Sequence, residues 1–112
     1  DAGAFSNLIK LSELNLSQNH FQSLQVGLFD NNIELTKLDF WRNPIKNLHA
    51  SSFSNLIKLT VLDLGDNQLE NLPVGLFDNN IELTELYLSN NHIKNLDANL
   101  FQNNVKLDKL YL

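Results

Sequence analysis

A strict 24-residue period constrains this chain more than any other feature. Leu11, Leu35, Leu59, Leu83 and Leu107 fall 24 apart. In the same register lie Leu14/Leu38/Leu62/Leu86/Leu110, Leu16/Phe40/Leu64/Leu88/Leu112, Asn19/Asn43/Asn67/Asn91, Phe21/Ile45/Leu69/Ile93, Leu24/Leu48/Leu72/Leu96 and Phe5/Phe29/Phe53/Phe77/Phe101. No insertion interrupts any column. One 24-residue unit cannot bury its own apolar face, so stability must come from stacking each unit on the next. The 24 Leu and 18 Asn of the 112 residues are the compositional trace of that repetition.

Within each unit, the L-x-x-L-x-L-x-x-N-x-L segment alternates apolar and polar residues over about three positions, the pattern of a short strand with one buried face. Glu13-Leu14-Asn15-Leu16-Ser17 is the first instance. An exact repeat sets each strand beside its equivalent, which predicts a parallel sheet with strands ~4.8 Å apart. The Asn that follows each strand sits where the chain turns inward. Its amide can donate and accept, so a column of four can satisfy backbone groups that the turn removes from the ladder. The Phe column is expected to fill the wide side of each coil. Two coil types alternate there. Ala4 accompanies Leu8 and Ser52 accompanies Leu56, whereas Leu28, Leu76 and Leu100 accompany Asn32, Asn80 and Asn104. Volume is exchanged between two neighbouring slots and held roughly constant, as dense packing requires. The pairs Asn31-Asn32, Asn79-Asn80 and Asn103-Asn104 read as turn residues on the outer side.

These columns resemble the leucine-rich repeat family, in the 24-residue form with Phe in its second half found in Toll-type receptor ectodomains and variable lymphocyte receptors. The resemblance covers essentially the whole chain. It implies an α/β-type repeat solenoid, a leucine-rich repeat horseshoe with a concave parallel β-sheet and an irregular or short-helical convex side. Residues 1–112 then form one array: a half repeat 1–10, repeats 11–34, 35–58, 59–82 and 83–106, and a partial repeat 107–112. Family members that stand alone carry Cys-rich caps, which this sequence lacks, so an excerpt of a longer array is expected. The resemblance also implies an extracellular or cell-surface setting.

Composition removes several function classes. Thirteen acidic against eight basic residues give a net charge of −5, with no Lys/Arg cluster of the kind that neutralises phosphates, so nucleic acid is not an expected partner. There is no Cys, hence no disulfide framework, thiolate nucleophile or Cys-based zinc site. The first five residues lack the charged and apolar regions of a signal peptide. No phosphate loop, dinucleotide fingerprint, H-E-x-x-H or G-x-S-x-G motif occurs. His20 and His92 share a column three coils apart, too far to share a metal, and His49 lies on the other side of the coil. A non-catalytic protein without metal or small-molecule cofactor is therefore expected.

A second period locates the variable part. Comparing each residue with the one 48 later gives 36 identities over 64 positions, and Val26 to Thr36 returns unchanged as Val74 to Thr84. The copied unit is thus a pair of coils. None of the ten compared pairs of outward-facing strand positions is identical, whereas exposed residues elsewhere, such as Asp30/Asp78, Glu34/Glu82 and Lys46/Lys94, are retained. Neutral drift would vary any exposed position. The contrast marks the concave face as a partner-binding surface.

The candidate binding residues on that face are Trp41, Arg42, Asp39, Asp63, Asp66, Tyr87, Asn90, Tyr111, Lys37 and Glu85. Trp and Arg are enriched at binding hot spots, and the lateral neighbours of Trp41, Ser17 and Gly65, are too small to cover an indole. The competing reading is that Trp41 lies flat on one of them and shields the sheet. Tyr87 and Tyr111 adjoin in one column. Glu13–Lys37 and Glu85–Lys109 read as cross-strand ion pairs. Asp39 and Asp63 stack with Asp66 nearby, but no nucleophile or His joins them, and Lys37 and Arg42 can neutralise them. Asn15-Leu16-Ser17 is a glycosylation sequon. The expected function is recognition of a protein partner, which can bear glycans, by part of an extracellular receptor or immune-type ectodomain. The alternative is a structural adhesion or scaffold repeat that self-associates through its uncapped ends.

Overall fold

The computed structural model describes residues 3–112, so the first two residues of the 1–10 half repeat lie outside it. Five three-residue strands follow one another: β1 (Glu13–Asn15), β2 (Lys37–Asp39), β3 (Val61–Asp63), β4 (Glu85–Tyr87) and β5 (Lys109–Tyr111). They form one parallel sheet in the order β1-β2-β3-β4-β5, and every pairing joins residues 24 apart, as Glu13↔Lys37 and Leu62↔Leu86 do. Among the described residues there is no helix. The convex segments are successive turns closed by i to i+3 bonds such as Leu56 N–H to Phe53 O (3.1 Å), the irregular form of the expected convex side. The solenoid measures 36 × 29 × 20 Å.

The sheet's inner face and the convex segments enclose one continuous core. The central strand residues Leu38, Leu62 and Leu86 are buried, as are Leu64, Phe53 and Phe77. Stacked rings tie coil to coil on the wide side, with centroids 6.0 Å apart for Phe5–Phe29, 6.5 Å for Phe53–Phe77 and 5.9 Å for Phe77–Phe101. Aromatic contacts of this kind stabilise beyond the area they bury.

Polar columns hold the two ends of each strand. At the start, Thr36, Thr60 and Thr84 each direct Oγ1 to the carbonyl 24 residues earlier, at 3.1, 3.0 and 3.1 Å. The sequence reading did not single out this Thr ladder. At the end, buried Asn67 donates Nδ2 to Phe40 O (3.0 Å), Leu64 O (3.1 Å) and Gly65 O (3.0 Å), and its Oδ1 accepts Ile45 N–H (3.2 Å). Asn43 and Asn91 repeat the arrangement one coil either side. At Asn43, Asn67 and Asn91 the expected inner ladder is present, each amide serving its own coil and the preceding one; Asn19, the first of the column, is exposed and donates within its own coil, to Leu16 O and Ser17 O.

The outer Asn pairs require a correction. Asn31, Asn79 and Asn103 are exposed, bonding Ser6 O, Ser54 O and Asp78 O respectively. Their neighbours Asn32, Asn80 and Asn104 are not outer turn residues: all three are buried in the slot that Leu56 fills in the other coil type. Asn80 Nδ2 donates to Phe53 O (3.0 Å) and Leu56 O (3.1 Å), so these residues form a second amide ladder under the convex turns. Turn chemistry predicted polar residues there. It gave no sign that the wide side of the coil strips backbone carbonyls of partners in the same way as the strand end does.

Two predictions follow from this packing. Asn67→Ala orphans buried backbone groups in two coils and is expected to destabilise the fold by about 3 kcal/mol in urea unfolding. Leu76→Ser and Asn80→Leu, each destabilising alone, are expected to recover at least ~1 kcal/mol when combined, because together they rebuild the Ser52/Leu56 coil type. Strict additivity in a double-mutant cycle would disprove the volume exchange.

Candidate functional site

Four columns of side chains project from the concave sheet and its C-terminal edge. The first contains Glu13, Lys37, Val61, Glu85 and Lys109, in which Lys37 Nζ lies 3.6 Å from Glu13 and Lys109 Nζ 3.5 Å from Glu85. Both expected ion pairs form. Three of the four side chains are well exposed and Glu85 is partly so, so each pair contributes little to stability. Glu85 nevertheless lifts the Lys109 ammonium above its ordinary value, keeping it charged.

The second column holds Asn15, Asp39, Asp63, Tyr87 and Tyr111. Its first three members share a local role that the sequence reading missed. Asn15 Oδ1 accepts Ser17 N–H at 2.9 Å, Asp39 Oδ1 accepts Trp41 N–H at 2.8 Å and Asp63 Oδ1 accepts Gly65 N–H at 2.8 Å. An Asn or Asp two residues before a turn is the signal for such a bond, and it was available in the column. Lys37 pairs with Glu13 rather than with these carboxylates. Burial, then the charges of Asp39 and Asp66, raise the Asp63 carboxyl above its ordinary 3.8, opposed by the Gly65 hydrogen bond. No group of three or more metal-binding side chains gathers among the described residues.

The same column ends in a stacked pair. The Tyr87 and Tyr111 rings lie 4.9 Å apart and 3° from parallel, and the Tyr87 hydroxyl donates to Glu85 Oε2 at 3.2 Å. Burial first, and then Glu85, push the Tyr87 phenol above its ordinary 10.0, so it stays a donor at neutral pH. Tyr111, on the end strand, is 46% exposed.

The third and fourth columns bring Trp41, Arg42 and Asp66 together. Trp41 is half-buried beside Gly65, where a Cβ would lie 3.5 Å from its Cδ1. The Arg42 guanidinium carbon sits 4.6 Å from the indole centroid, and Arg42 Nε lies 3.7 Å from Asp66 Oδ2. Arg42 thus covers the ring that its lateral neighbours leave bare. It does so from an unfavourable backbone: Gln18, Arg42, Asp66 and Asn90 all have left-handed φ, between 52° and 58°. Asn tolerates that region well and Arg poorly. Asn90 is exposed near Tyr87 in sequence, and nothing in the structure joins it to the Trp41 cluster. Asn15, the sequon residue, is exposed on β1.

The candidates therefore fall into two patches, Trp41-Arg42-Asp66 over β2 and β3 and Tyr87-Tyr111-Glu85-Lys109 over β4 and β5. Beside the first, a shallow open depression of ≈ 390 Å³ is lined by residues including Glu13, Lys37, Asp39, Val61 and Asp63. It lacks the enclosure of a small-molecule site.

A family model for the BspA type leucine rich repeat region matches residues 1–112 in six copies. The chain belongs to the leucine-rich repeat family. No curated protein matches it. Among solved structures, the leucine-rich repeat domain of APL1B superposes with a TM-score of 0.90 at 31% identity, covering 99% of this chain and 33% of that one. This leucine-rich repeat chain therefore spans about a third of the length of that solved domain. The family's repeats are in general protein-interaction modules, and generally not catalytic. The two concave patches sit on the surface that the repeat leaves free to vary.

Asp63→Asn is expected to stabilise the chain at pH 7. The amide oxygen can keep the bond to Gly65 N–H, as Asn15 does to Ser17, while the charge facing Asp39 and Asp66 is removed. A carboxyl raised on folding is protonated more readily in the native state, so its ionisation opposes folding at neutral pH. That opposition fades as pH falls through the raised value. The stability gap between variant and parent in urea should therefore narrow in acid; a less stable variant at pH 7 would refute the reading.

Proposed function

We infer that this leucine-rich repeat chain is a non-catalytic recognition module that holds a protein partner on its concave face. The observation that carries the reading is the pair of aromatic patches on a rigid sheet. Trp41 is held beneath Arg42 and against Gly65, its carbonyl accepting Gln18 N–H at 2.8 Å, and Tyr87 is stacked on Tyr111. Side chains fixed before association lose little further freedom on binding, which favours affinity. Tryptophan, tyrosine and arginine are the residues that carry most binding energy at such surfaces.

Chemistry on the same face argues for binding rather than catalysis. Asp39 and Asp63, cross-strand neighbours on β2 and β3, are engaged by backbone amides and lie on an open surface where water is not excluded. The extracellular, receptor or immune-type setting and a glycan-bearing partner rest on the family resemblance. A glycan on Asn15 would stand over β1 and direct contacts toward the later strands.

The test is capture of a partner from extracellular fluid on the immobilised chain, followed by titration against variants. Trp41→Ala is expected to weaken binding by about 2 kcal/mol, some thirtyfold, with little loss of folding stability, and Tyr87→Ala to weaken it comparably. Equal affinity of both variants for the captured partner would move the site off the concave face. Self-association that survives both substitutions, with no partner captured, would favour the scaffold reading.

A further inference from the structure

The convex side carries a second surface that the recognition reading does not use. Ile9, Ile33, Ile57, Ile81 and Val105 occupy one column, 24 residues apart, and are 58%, 49%, 54%, 52% and 84% exposed. In the interior coils the neighbouring Leu and Phe side chains, such as Phe53, Leu56, Leu59 and Phe77, are wholly buried, whereas these five stay on the outside and contribute little to the core. Isolated exposed apolar residues are ordinary; a continuous stripe running through all five coils is not. The stripe also disregards the two coil types. The residue before it alternates Leu8, Asn32, Leu56, Asn80 and the residue after it alternates Lys10, Glu34, Lys58, Glu82, Lys106, while a β-branched apolar residue stays at every step.

The alternating charges beside the stripe identify what covers it. Within one chain, Lys58 Nζ meets Glu34 Oε2 and Lys106 Nζ meets Glu82 Oε2, which fixes the charges as a row flanking the apolar column. Such a row is self-complementary when a second row runs the opposite way, shifted so that the two-fold axis passes between coils. Lys10 then faces Glu82 and Glu34 faces Lys58 of the other copy, and the reverse. An axis through Ile57 instead sets Lys10 against Lys106 and Glu34 against Glu82, like against like. A lipid or nucleic-acid surface would call for a run of one sign of charge, and this row alternates in sign at every step.

We propose that the Ile9–Ile33–Ile57–Ile81 stripe is a back-to-back dimer interface between two antiparallel copies of this chain, registered by the Lys10/Glu34/Lys58/Glu82 row. The two-fold arrangement is closed, since each copy presents the same patch. It leaves the concave faces pointing outward and free, so each dimer would offer two recognition surfaces. The open depression of ≈ 480 Å³ between Ile9 and Ile33, lined also by Lys10, Asp30, Asn31 and Glu34, gives an apolar side chain of the other copy a place to seat.

The stripe is one residue wide, so the dimer should be weak, with dissociation between about 10 µM and 1 mM. Sedimentation equilibrium across that range should show the mass rising toward twice that of the 12.8 kDa chain. Ile33→Glu/Ile57→Glu should remain single at every concentration, with an unchanged circular dichroism spectrum. The register has its own test. Glu34→Lys and Lys58→Glu should each self-associate more weakly than the parent, whereas an equimolar mixture should associate at least tenfold more tightly than either alone, because every facing pair is then opposite in sign. A single-copy mass at ~1 mM, association undiminished by the Ile substitutions, or a mixture no tighter than its components would each overturn the proposal. None of these outcomes depends on the concave face, so failure here leaves the partner-binding reading standing, and the reverse.

Discussion

The constraint on which this structure depends is that a coil bending through a full turn every 24 residues leaves backbone amides and carbonyls with no strand to pair with. Asparagine answers it at two places in the coil. At the strand end, Asn43, Asn67 and Asn91 bind carbonyls of two successive coils and accept an N–H from the earlier one. Under the convex turns, Asn32, Asn80 and Asn104 each donate to two carbonyls of the preceding coil. The bonds that join one coil to the next span 22, 24 or 27 residues, so a single inserted residue in one coil would misplace donors in two. That reach explains why the period admits no variation, and why the apolar columns keep their register over the whole chain.

Once the ladders and the Leu and Phe columns are fixed, little is left to vary except what points away from them. The concave face uses that freedom for a mixture of charge and aromatic surface. Even there the scaffold intrudes: Asp39 and Asp63 support the turns of Trp41 and Gly65, and Arg42 accepts a left-handed backbone that a glycine or asparagine would adopt more readily. An Arg set against its conformational preference, over the face of an indole and beside Asp66, is better accounted for by what the side chain does than by the turn it sits in. The convex face is the opposite case. Its apolar stripe is repeated rather than varied, which suits one constant contact as the diverse concave face suits a specific one.

Much of this was legible in the sequence because repetition turns position into environment. The registered parallel sheet, the inner Asn ladder, the Glu13–Lys37 and Glu85–Lys109 pairs and the apposition of Tyr87 with Tyr111 all follow from counting in units of 24. The burial of Asn32, Asn80 and Asn104 did not follow. Local turn chemistry and a buried carbonyl call for the same residue type, and only the packed coil tells them apart. The exposure of the Ile column was equally hidden, since an isoleucine repeated among leucines reads as one more core column until the chain is closed around it.

Sequence alone determined the architecture: the period, the strand positions, the family and the face on which the copies diverge, because stacking identical units leaves one register that buries every Leu column. The tertiary structure decided which side chains on the faces meet. Arg42 turns back over Trp41, Lys37 takes Glu13 instead of Asp39, Asp63 is committed to Gly65, and Ile33 and Ile57 are left outside. The physical reason is one of scale. Backbone register is fixed by repeated hydrogen bonds across every coil, whereas the partner of an exposed side chain is chosen among neighbours a few ångströms apart, by rotamers that no repeat specifies.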